Sequence, residues 1–99
     1  MGRASISSEI LASYAADAAL EVKGVRGLVE SHLPRHRGVR VSEEDGAVRL
    51  QLRVEVDWGA SIPDVGSELQ RHVRDYLGRM ADVELAGIDV VVDDIGSPG

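Results

Sequence analysis

From Val48 to Trp58 the chain alternates without a fault. Val48, Leu50, Leu52, Val54, Val56 and Trp58 are apolar, and Arg49, Gln51, Arg53, Glu55 and Asp57 lie between them. A period of two over this length predicts a strand with one face buried and the other in water. Upstream, Val39 and Val41 also alternate with polar residues, and Glu43-Glu44-Asp45-Gly46 supplies a turn with Asp-Gly as its hairpin dipeptide. Residues 39–58 therefore read as a strand hairpin.

The period changes on either side. Over 7–24, Ile10, Leu11, Tyr14, Ala15, Ala18 and Val22 recur on one helical face. Ser7 or Ser8 can cap the N-terminus, Glu9 suits the positive end of the helix dipole, and Gly24 provides a stop. Over 61–80, Ile62, Val65, Leu69, Val73, Tyr76, Leu77 and Met80 form an apolar stripe opposite Glu68, Arg71, Arg74, Asp75 and Arg79. Ser61 and Asp64 have capping-box spacing, and Pro63 sits in the first turn. A last strand is expected from about Ala86 to Ile95. It points Ile88, Val90 and Val92 one way and Val91 the other, with Asp89 and Asp93 beside Val91. Residues 25–38 are least regular: Val25 to Glu30 read as a short strand, and Ser31 to Gly38 as a basic loop containing Pro34.

One-sided strands and two amphipathic helices imply an α+β fold. The expected architecture is a two-layer sandwich, a small mixed sheet of three to four strands with two helices packed on one face. A chain of 99 residues supports one core, so 1–99 is expected to be a single domain, with a core of about 6–95 and frayed ends at 1–5 and 96–99.

Charge and composition narrow the function. A net charge of −6 disfavours a protein that grips nucleic acid or an anionic bilayer through bulk charge. The absence of Cys removes disulfides, thiolate nucleophiles and most structural zinc sites, and fits a reducing cytosol. The most apolar stretch, Ile10 to Leu20, is broken by Ser13 and Asp17 and falls short of the roughly 20 residues a membrane span requires. The N-terminus has no apolar run of the kind that marks a signal peptide. The expectation is a cytoplasmic protein with no direct membrane insertion, whose membrane connections run through a partner.

Candidate chemistry is sparse. His32 and His36 have the spacing of helical metal ligands, but Pro34 between them breaks the helix and no third ligand is near, so exposed loop histidines are expected. Gly24-Val25-Arg26-Gly27 spells the GxxG loop by which KH domains clamp a nucleic-acid backbone. With Arg26, Arg35, Arg37 and Arg40 it defines an alternative reading as a small RNA-binding module. Here, however, an extended segment follows the loop where a KH domain has a helix. Asp93-Asp94 and Glu43-Glu44-Asp45 read as solvated turn charge. No nucleophile elbow, phosphate loop or dinucleotide fingerprint occurs, so no catalytic residues, cofactor or metal are assigned. Trp58-Gly59 reads as a core plug followed by a chain reversal, with a ligand platform as the alternative. Val91 is an apolar residue on a wet face near a sheet edge. It is a candidate contact between protomers unless residues 25–38 cover it or it is simply exposed.

The order of these segments resembles a known family. Ile6-Ser7-Ser8-Glu9-Ile10-Leu11 opens the first helix, Ala15-Ala16 lies inside it and Glu21-Val22-Lys23-Gly24-Val25 ends it. Gly38-Val39 opens the next strand, Trp58-Gly59 ends the alternating run, Leu69-Gln70 and Val73 lie in the second helix, and Ile88-Asp89-Val90-Val91-Val92 follows. Over roughly residues 6–95 this pattern is similar to the alkaline shock protein 23 family of Gram-positive bacteria, with Trp58 where the family usually has Tyr and Ala81-Asp82 where it often has Thr-Gly. The Ala, Arg, Val, Asp and Gly bias resembles that of actinobacterial proteins. The resemblance implies a non-enzymatic interaction or scaffold protein of cell-envelope homeostasis and stress response. It also implies a homo-oligomer working with a protein partner, in some members a small membrane-anchored one. The family has no catalytic residues to carry over, so Val91, Trp58, Arg26, Arg35 and Arg37 stand as candidate interaction residues.

Overall fold

A computed structural model describes residues 7–29 and 38–97. The elements run α1 (Ser8–Leu20), β1 (Val25–Leu28), β2 (Val39–Glu44), β3 (Ala47–Val56), α2 (Ile62–Ala81) and β4 (Leu85–Ile95).

Strand β3 organises the sheet. On one side it pairs antiparallel with β2 over residues 47–52 and with β1 over residues 54–56, so these two short strands lie end to end along the same edge. On the other side β4 runs parallel to β3 along almost its full length, with α2 as the crossover. The sheet is mixed and four-stranded, as the sequence predicts. The β2–β3 turn is tighter than expected. Only Asp45 and Gly46 lie between the strands, with φ of 51° and 81°. Two consecutive left-handed residues are what a two-residue hairpin of the right-handed twist requires.

Both helices share one core with one face of the sheet. Leu50, Leu52, Val54 and Val56 of β3 are buried there with Val39 of β2 and Ile88 of β4. From α2 come Val65, Leu69, Val73 and Leu77, and from α1 Leu11 and five alanines. Small α1 side chains let that helix lie close to its neighbours, and Tyr14 and Tyr76 meet edge to face between the helices at 6.2 Å. Both helices begin as the sequence indicates. Ser7 Oγ accepts from the Ile10 amide, and Ser61 Oγ from the Asp64 amide.

Three details differ from expectation. Helix α1 ends at Leu20 rather than at Gly24, and a turn fills the gap; Gly24 has φ of 98°. Ile10 and Met80, assigned to apolar stripes, are 48% and 52% exposed. They lie in the first turn of α1 and the last turn of α2, at the ends of the layer. Trp58, read as a core plug, is 62% exposed: β3 stops at Val56, and the backbone turns through Gly59 at φ of 85° before the indole can continue the buried row.

Candidate functional site

Two surfaces carry the candidate residues. The first is the sheet face opposite the helices. Arg49, Gln51, Arg53 and Glu55 of β3 point to it, because the intervening residues are buried on the other side. Register adds Arg40 and Ser42 from β2, opposite Gln51 and Arg49. From β4 it adds Asp89 beside Gln51, Val91 beside Arg53 and, beyond an irregularity at Asp93, Asp94 beside Glu55.

Charges on this face are largely sorted by strand, with Glu44 of β2 and Glu55 of β3 as the exceptions. Arg40, Arg49 and Arg53 form a basic stripe on β2 and β3, and Asp89, Asp93 and Asp94 form an acidic stripe on β4. Ion pairs cross between them. Arg49 reaches Asp89 at 3.5 Å, and Arg53 reaches Asp93 at 3.1 Å. Gly87 makes room for the first of these, since a Cβ there would lie 2.7 Å from an Arg49 nitrogen. Arg26 of β1 pairs with Glu55 at 3.0 Å and extends over Gly96 past the end of β4. This pair offsets the repulsion between Glu55 and Asp94, neighbours on adjacent strands. Val91 stands half-buried among these charges.

The second surface is the corner where β3 passes into α2. The Asp57 amide donates to the Gly24 carbonyl at 2.8 Å, which ties the α1–β1 turn to the end of β3. Gly24 approaches α2 so closely that a Cβ would lie 2.7 Å from Val65 Cγ2. The result is a depression of about 590 Å³ whose lining includes Lys23, Asp57, Trp58, Gly59, Asp64 and Glu68. Glu68 is held by Arg71 one turn along α2. That hydrogen bond keeps the Glu68 carboxyl below its ordinary pKa and raises Arg71.

The sequence candidates thus separate. Val91 and Arg26 share the open face, Trp58 stands apart at the corner, and Arg35 and Arg37 lie outside the described residues, as do His32 and His36. The GxxG loop is not in KH context. Gly24 lies in a turn and Gly27 within β1, so a strand follows where a KH loop has a helix, and Arg26 is already engaged by Glu55. The alternating positions of β3 already marked its wet face. The pairs to Asp89 and Asp93, however, each span 40 residues and become visible only through the parallel register. Among the described residues no cluster of three metal-ligating side chains occurs, and no helix is long and apolar enough to cross a membrane.

A family model described as having a cell envelope-related function matches residues 1–97. The chain belongs to the alkaline shock protein 23 family. Its curated relatives include the uncharacterised protein YqhY of Bacillus subtilis, 28% identical over 91% of this chain and 74% of the relative. Another is the uncharacterised Spy1535 of Streptococcus pyogenes, 26% identical over 96% of this chain and 80% of the relative. Neither the family description nor these relatives give a sign of catalytic activity. Among solved structures, a variant of the MamM C-terminal domain has a TM-score of 0.60 at 16% identity, covering 89% of this chain and 98% of that domain. A copper form of another variant has a TM-score of 0.59 with the same identity and coverage. At this identity the likeness shows the α+β fold alone.

Proposed function

We propose that this family member is a non-enzymatic interaction protein of the cell envelope, a single domain over residues 1–99. In this reading it works in the cytoplasm, self-associates, and is held near the membrane by a small membrane-anchored partner. The observation that carries the reading is the open sheet face. Among the described residues nothing packs over it, and a stripe of arginines on β2 and β3 lies beside a stripe of aspartates on β4, with Val91 beside Arg53.

Such a face is self-complementary. A two-fold axis running along the strands, between the stripes, lays the acidic stripe of each copy over the basic stripe of the other. Isologous contacts of this kind are the commonest in homo-oligomers. Val91 then sits near the axis over Arg53 of the second copy, whose aliphatic stem can cover it.

Sedimentation of wild type and Val91→Lys at matched concentration tests the interface. The expected result is a wild type larger than a monomer and a smaller Val91→Lys species. Identical size distributions would remove Val91 from the interface. The wider role is tested by deleting the gene and challenging cells with envelope-active antibiotics. Unchanged survival, morphology and envelope-stress transcription would count against it.

A further inference from the structure

The Trp58 corner takes no part in the open face, and its chemistry points to a different ligand. We propose that this depression binds a cationic side chain, a guanidinium or ammonium, presented by a basic segment of a protein partner. The inference rests on the reading of the chain as an interaction protein and names what one of its surfaces recognises.

Three observations converge. First, the indole of Trp58 is 62% exposed and opens onto the depression. A large aromatic left in water at a concave site is the residue type that most often anchors an interface, and indole is the best aromatic face for a cation. Second, Asp57 and Asp64 line the same depression, and among the described residues neither carboxylate is in an ion pair. Glu68 is different, since its charge is already met by Arg71. Against these carboxylates stands only the Lys23 ammonium, so the lining carries an excess of negative charge. Third, the close approach of Gly24 to Val65 and the left-handed Gly59 fix the backbone along part of its wall. A cation seated over the indole would meet the Asp57 and Asp64 carboxylates, and the pairing of charge with an aromatic face selects Lys or Arg over an acidic or apolar side chain. An anionic ligand would face Asp57 and Asp64 directly.

Trp58 is the only tryptophan in the chain, so its emission reports on this corner alone. The full chain is titrated with hexa-arginine amide, with hexa-glutamate as the control of opposite charge, and the emission is followed. Saturable change with hexa-arginine and none with hexa-glutamate is expected. The Asp57→Asn/Asp64→Asn variant should bind about tenfold more weakly, while Glu43→Gln/Glu44→Gln in the distant hairpin, which removes the same charge, should bind as wild type. Asp57→Asn alone, outside the helix, keeps the test usable if the double variant does not fold. By calorimetry Trp58→Ala should lose about three- to tenfold in affinity, and Trp58→Phe less. Equal weakening by the two double variants would show attraction to bulk charge only, and an unchanged Trp58 emission would place any binding elsewhere; either result overturns the proposal. Neither result depends on sedimentation of Val91→Lys, so this site and the self-association surface can fail separately.

Discussion

The two faces of β3 are built from the same ten residues and obey opposite rules. On the covered face, Leu50, Leu52, Val54 and Val56 are sealed beneath both helices. On the open face, Arg49, Arg53 and Glu55 are held by ion pairs that remain in contact with water. Burial of apolar area is worth about 25 cal/mol per Å², whereas an exposed ion pair contributes at most about 1 kcal/mol. One face therefore stabilises the fold, and the other is free to specify what touches it.

Adjacent substitutions separate the two most sharply. Leu52→Ala should cost about 2–5 kcal/mol in urea melts, because its site is enclosed and cannot collapse fully. At the margin of the covered face, Gly24→Ala should cost about 1–3 kcal/mol, since the new methyl meets Val65 and the backbone sits at φ of 98°. Gly46→Ala sharpens the point. Its φ is 81° with nothing within 4 Å of the added Cβ, so only the backbone strain of about 1–2 kcal/mol remains, and its loss should be smaller than that of Gly24→Ala. On the open face, Arg53→Ala should cost under about 0.5 kcal/mol. A double-mutant cycle of Arg53 with Asp93 should give a coupling below about 1 kcal/mol that fades in 1 M salt. Equal losses at Leu52 and Arg53 would mean that the strand is not one-sided.

The same contrast explains what the sequence disclosed. Burial is written locally: the alternation of β3 and the four-residue spacing of Val65, Leu69, Val73 and Leu77 place the core from the sequence alone. Ile62 and Met80 have the right angle for that stripe but lie one turn beyond its ends, and periodicity carries no information about where the opposing layer stops. Trp58 fails for a related reason. Its parity continues the buried row, but the strand has already ended, and Gly59 was the only local sign that the chain departs there. The open face was legible as wet but not as striped. The register that sets Asp89 and Asp93 beside arginines 40 residues away is a tertiary fact.

Because every strand pairing in the sheet passes through β3, this segment has no independent way to open. The β2–β3 hairpin closes across two residues, but β4 can join only after α2 has brought the chain back, so loop-closure entropy sets a natural order of assembly. The β3 amides that bond the β1/β2 side, such as Arg53 to the Gly38 carbonyl, should then exchange with deuterium only through global unfolding, while those shared with β4 are released earlier by sub-global opening. Peeling β4 away would also remove the acidic stripe from its basic neighbour, so the slow breathing of one edge strand and the integrity of the surface offered to a second copy are the same motion.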